Sequence, residues 1–152
     1  AQRALQMKML RIDNKNIRVE SQIAADLPQI WGNVNQLFQC CVEIIGNATD
    51  ALEEVGGGNV LVRAYAEDNE VVLEFSDSGP GVRHPQRIFD PFYTTKPVGK
   101  GMGLGLSVTY GIVRDHQGQI NCQNRDQGGA VFTLRFPAAK QPAPNVAVAA
   151  KA

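Results

Sequence analysis

The sequence predicts an α+β sandwich, with helices layered against strands. Three observations carry this: a long helical pattern from Asn33 to Val55, two β-hairpin patterns, and a second helical pattern lying between the hairpins. Neither layer can cover its own apolar face, so each buries it against the other.

Taken in order, residues 1–12 place Leu5, Met9 and Ile12 at helical spacing, a short helix or the end of a longer one. Ile17, Val19 and Ser21 alternate within Ile17–Ile23, which reads as a strand, and Leu27-Pro28 with Trp31-Gly32 marks a turn. From Asn33 to Val55, the residues Val34, Leu37, Phe38, Cys41, Ile44, Ile45, Ala48 and Leu52 form one broad apolar stripe. Gly56-Gly57-Gly58 ends that helix. Strands at Asn59–Ala66 and Val71–Phe75 enclose Glu67-Asp68-Asn69-Glu70 as a hairpin. Leu104, Leu106, Val108, Ile112 and Val113 supply the second helix, which stops at His116-Gln117-Gly118. Gln119–Gln123 and Ala130–Phe136 form a second hairpin around Gln127-Gly128-Gly129. From Pro137 the Ala- and Pro-rich run lacks a core-forming pattern and is expected to be disordered. The expected plan is an N-terminal helix or remnant of a preceding domain at 1–14, one domain at 15–137, and a tail at 138–152.

With 152 residues the chain is long enough to bury a real core, at about 68% of its unfolded surface. Lys plus Arg equals Asp plus Glu at 15 each, so no overall field favours nucleic acid or an anionic membrane, and recognition of phosphate has to be local. Cys40, Cys41 and Cys122 are odd in number, and the first residues, A-Q-R-A-L-Q-M-K, lack an apolar signal core; reduced thiols in a cytoplasmic protein are expected. His84 and His116 lie far apart, and without Cys-x-x-Cys or His-x-x-x-His spacing a metal site built on these residue types is not expected. No run of about 18 apolar residues is present, so no membrane span is expected.

Chemistry concentrates in Phe89–Leu106, F-D-P-F-Y-T-T-K-P-V-G-K-G-M-G-L-G-L, where alternating glycines lead into a helix. Free N–H groups at a helix N-terminus attract anions, and glycines let the backbone approach them. The Walker pattern fails because Gly101 follows Lys100, and G-x-G-x-x-G fails because leucines stand where its last glycine belongs. Two readings remain at this point: a phosphate-covering lid and a flexible loop before a helix. On the long helix Glu43, Asn47, Asp50 and Glu54 form a polar stripe. It fits a solvated face, and it also offers oxygen ligands suited to Mg²⁺ beside a nucleotide. Asp77, in Asp77-Ser78-Gly79-Pro80-Gly81, can accept a hydrogen bond from an exocyclic amine such as that of adenine, or brace its own turn.

In fixed order these segments resemble one family. Glu43–Ala51 is similar to the N box of the gyrase, Hsp90, histidine kinase and MutL superfamily, Asp77–Gly81 to its G1 box, and Gly101–Leu106 to its G2 box. Phe89–Lys96 resembles the F box of bacterial sensor histidine kinases, and Gly128–Leu134 their final strand. The resemblance implies the Bergerat fold, a mixed sheet packed on helices with a mobile ATP lid, and a catalytic, ATP-binding domain using Mg²⁺. It implies that Asn47 and Glu43 hold Mg²⁺, that Glu43, Asn47 and Lys96 are catalytic, and that Asp77 bonds the adenine amine while Gly79 and Gly81 line its pocket. Phe89 and Phe92 would anchor the lid, and Lys96 and Lys100 would contact phosphate. Gly101, Gly103 and Gly105 would bring backbone amides to it, and Asp50, Thr95, Leu104, Leu106 and Thr133 would complete the nucleotide site.

The chain departs from the pattern in two places. Glu43 stands where histidine kinases commonly carry Asn, as in the hydrolysing relatives, so residual ATP hydrolysis is expected. Neither His84 nor His116 sits in a phosphoacceptor context, so the acceptor is expected on a separate dimerisation domain of a homodimeric parent that feeds a response regulator. The alternatives are a serine kinase of the anti-sigma-factor type and a nucleotide-sensing module without phosphotransfer.

Overall fold

The computed structural model describes residues 16–96 and 101–140. The expected helix at 1–12, Gly99, Lys100 and the tail beyond 140 lie outside these residues.

Among the described residues seven elements are present: β1 (Ile17–Ile23), α1 (Val34–Glu54), β2 (Gly58–Glu67), β3 (Glu70–Asp77), α2 (Gly105–Asp115), β4 (Gln119–Asn124) and β5 (Ala130–Pro137). The strands form one sheet in the order β1-β2-β3-β5-β4. β1 and β2 run parallel, which requires a crossover, and α1 is that crossover. The other pairings are antiparallel, so the sheet is mixed, as the family resemblance implied. β3 runs on past Phe75 to Asp77, which pairs with Val60. That extension holds Asp77 in the sheet rather than in a loop.

Local chemistry accounts for the helix ends. Asn33 caps α1 by accepting from the N–H groups of Asn35 and Gln36 at 2.9 and 3.3 Å. Its own N–H donates to His116 Nε2 at 3.0 Å, while His116 Nδ1 lies 2.7 Å from the Ile112 carbonyl. The carbonyl needs a donor and the Asn33 N–H an acceptor, so Nδ1 carries the proton of a neutral ring. This bond ties the start of α1 to the end of α2, and Gly32 is needed there because a methyl group would collide with the imidazole.

The core lies between the helices and one face of the sheet: Ile44, Ile45 and Leu52 of α1 and Val113 of α2 meet Val60, Leu134 and Phe136. The opposite face carries ion pairs, Arg63 with Glu74 and Arg135 with Glu67 and Glu70. Cys40, Cys41 and Cys122 are free and buried. Burial pushes the Cys40 thiol up to about 11 and the Cys122 thiol up to about 12. Ellman's reagent at pH 8 is therefore expected to react slowly with the native protein and at once with all three thiols after unfolding. A raised folded pKa favours the neutral form in the native state. The stability contributed by Cys40 is thus complete below its ordinary value of 9.0 and is lost as pH rises through about 11.

Candidate functional site

α1 presents Glu43, Asn47 and Asp50 on one face, because positions three and four apart fall on successive turns. Asn47 Nδ2 donates to Glu43 Oε1 at 3.3 Å. Lys96, from the loop before α2, reaches across to the same face: its Nζ donates to Asp50 Oδ2 at 2.5 Å and to Asn47 Oδ1 at 3.4 Å. At the other end of the row the Glu43 carboxylate lies against Gly105, the first residue of α2, where a methyl group would collide with it. Leu104 precedes that helix and offers no side-chain cap, so none of the first amides of α2 is capped by that residue's side chain. Glu54, on the last turn, is exposed and stays outside the site.

Asp77 is only 5% exposed at the end of β3. Its Oδ1 accepts from the N–H of Gly79 at 2.8 Å and of Ala130 at 3.3 Å, which leaves Oδ2 to face a further donor. Gly81 has φ of 82° and lies so close to Asn124 that a methyl group would sit 2.8 Å from Asn124 Oδ1. Gly129, at φ of 86°, packs directly on the Asp77 main-chain carbonyl. A buried carboxylate beside a glycine-lined turn is therefore the second half of the site.

The loop between the halves is held at its base. Phe89 packs on Tyr110 and Phe132, with ring centroids 5.7 and 6.4 Å apart, and anchors the segment. Phe92 does not: its side chain is 75% exposed, and the chain turns through it at φ of 64° while its N–H donates to the Gly103 carbonyl at 3.0 Å. Tyr93 anchors instead, partly buried against the core with the Arg87 guanidinium 5.0 Å over its ring. Gly103 has φ of 68°, and a methyl there would lie 2.6 Å from the Phe92 carbonyl carbon, so the close crossing of the two strands of the loop requires it. Gly101 lies against the Lys96 side chain, Leu106 packs partly buried on the core, and Thr95 is exposed.

Thr133 does not join the site. It pairs with Glu74 and Asn121, and alternation along β5 points it away from the helices, on the side opposite Phe132 and Leu134. Glycine-rich likeness over 128–134 assigned the nucleotide contact too far along the strand; Ala130 is the β5 residue that touches Asp77. Asn124 and Arg125 were missed. Asn124 continues the inward alternation of Ile120 and Cys122 with a polar residue, the signal that could have found it.

Residues 32–140 match the model of the family described as histidine kinase-, DNA gyrase B- and HSP90-like ATPase. The chain belongs to that ATPase family. Among relatives of this ATPase domain, Sporulation kinase E of Bacillus subtilis (strain 168) is 35% identical over 125 residues, covering 80% of this chain and 16% of that protein. Sensor kinase CckA of Brucella abortus (strain 2308) is 33% identical over 150 residues, covering 88% of this chain and 16% of its own length. The domain thus spans about a sixth of the length of these curated relatives. In structure it is similar to ShkA, solved full-length in complex with AMPPNP (TM-score 0.80, 29% identity, 94% of this chain and 30% of that one). It is also similar to the catalytic domain of histidine kinase ThkA (TM-score 0.78, 25% identity, 91% of this chain and 92% of that one). In sequence and in fold alike, the domain is similar to the ATPase domains of sensor histidine kinases. Among the described residues no helix is long and apolar enough to cross a membrane.

Proposed function

We propose that this domain binds Mg-ATP and presents its γ-phosphate to a histidine on a separate dimerisation and phosphoacceptor domain. The observation that carries the reading is the convergence of Glu43, Asn47, Asp50 and Lys96 in one row that ends at the amino end of α2, with buried Asp77 as a second recognition point. Asp77 Oδ2 accepts from the adenine amine, Gly79 and Gly81 admit the flat base, and the α2 amides with Lys96 receive the phosphates.

The donors fit Mg²⁺. Asn47 Oδ1 and the Glu43 carboxylate are hard oxygens, and the Lys96 ammonium at 3.4 Å shows that the Asn47 oxygen already accepts from a cation. When bound, the ion neutralises phosphate charge. Catalysis by this chain is then placement: the acceptor nitrogen forms its bond to phosphorus as the bond to the ADP oxygen breaks. Glu43, bonded by Asn47 beside the first residue of α2, would orient water, so a slow hydrolysis is expected beside transfer. The parent is a cytoplasm-facing homodimer whose phosphohistidine passes to a response regulator.

Incubated with ATP alone, the chain is expected to remain unphosphorylated; adding the parent's phosphoacceptor domain yields acid-labile phosphohistidine on that domain. Asn47→Ala is expected to cut the transfer rate on the order of a hundredfold. Stable phosphate on the isolated chain, or acid-stable phosphoserine, would rule the proposal out.

A further inference from the structure

The turn that reads adenine is gripped at both ends by one hairpin, β4–β5. At its far end the Asn124 side chain mimics a strand partner: Oδ1 accepts from the Val82 N–H and Nδ2 donates to the Val82 carbonyl, each at 2.7 Å. This pairing fixes the orientation of the amide, since only a group that both accepts and donates satisfies the two bonds. At the near end Arg125 Nη1 donates to the Asp77 main-chain carbonyl at 3.1 Å and the Ala130 N–H meets Asp77 Oδ1 at 3.3 Å. The hairpin turn is itself closed by Arg125 N–H to the Gly129 carbonyl at 2.9 Å. Asn124 pairs with Ala130, so the contacts to Asp77 and to Val82 come from neighbouring positions of one rigid hairpin.

We infer that Asn124 is a positioning residue for adenine recognition: it sets the distance between Val82 and Asp77 and so holds Gly79 and Gly81 open to a purine whose amine Asp77 reads. The inference rests on the proposed function. Both Asn124 side-chain hydrogen bonds are to the Val82 backbone, so its effect is on nucleotide selectivity and not on the phosphates, which the proposed function gives to the row on α1 and to α2 about Gly105.

Asn124→Asp keeps size and shape but loses the Nδ2 donor and sets a carboxylate against the Val82 carbonyl. Titration calorimetry of the 152-residue chain with AMPPNP, the matching guanine analogue and tripolyphosphate provides the test. AMPPNP affinity is expected to fall about tenfold in Asn124→Asp, and adenine-over-guanine preference with it, while tripolyphosphate binds as in wild type. Asn124→Ala, checked by circular dichroism, is expected to lose affinity in the same selective way. Unchanged AMPPNP affinity in Asn124→Asp, or an equal loss for AMPPNP and tripolyphosphate, overturns the inference and leaves the proposed function standing. A wild-type chain that binds no adenine nucleotide brings down both.

Discussion

Asp77→Asn is expected to weaken ATP-analogue binding by about 5- to 150-fold, the effect of about 1–3 kcal/mol for a buried polar group left mispaired, with the fold retained. The asymmetry follows from the two carboxylate oxygens. Oδ1 is committed to the N–H groups of Gly79 and Ala130, and the amide oxygen of asparagine can take over both bonds. The amide nitrogen then stands where Oδ2 stood. A donor faces the adenine amine, itself a donor, and neither finds an acceptor. Calorimetry should therefore show a large loss for adenine nucleotides while the thermal midpoint moves little. An Asp77→Asn protein that binds as tightly as wild type would remove Asp77 from base recognition.

Gly129→Ala is expected to destabilise the domain by about 2–5 kcal/mol, the sum of a left-handed backbone penalty of about 1–2 kcal/mol and overpacking of about 1–3 kcal/mol. At φ of 86° the residue strains any side chain, and the added methyl collides with the Asp77 main-chain carbonyl, which is backbone and cannot swing aside. Gly128 provides the control. Its φ is 90°, yet a methyl there would meet only the Gly79 carbonyl at 3.8 Å, an ordinary contact. Gly128→Ala therefore carries the strain without the collision, and thermal melts should separate the pair by several degrees. Equal melting points would mean that the hairpin does not press on Asp77.

Helices and hairpins were legible because their apolar periodicities are long and their ends are punctuated by glycine and asparagine, whereas the mixed sheet came from the family resemblance. Glu43, Asn47 and Asp50 were legible for the same reason, since helical spacing alone places them on one face. Phe92 looked like an anchor because its residue type is apolar, but its left-handed backbone turns the ring outward, and that conformation is set by contact with Gly103. Thr133 was placed in the site by the likeness over 128–134, although the local alternation of Phe132, Leu134 and Phe136 already turns it to the opposite face. Asn124 and Arg125 act on backbone atoms more than 40 residues away; the inward alternation of β4 marks Asn124 as out of place, but its partner is set by the tertiary fold.

The bridge from Lys96 to Asn47 and Asp50 bears on how the domain fills. The acceptor oxygens of α1 are answered by a positive charge that the protein supplies from its own loop. Under the proposed function, loading Mg-ATP would be an exchange of one cation for another rather than a filling of bare acceptors, and the released ammonium would carry its charge to the incoming phosphates. The measured affinity is then a difference between two ion pairings, and it should depend on salt less steeply than the charge on ATP would suggest.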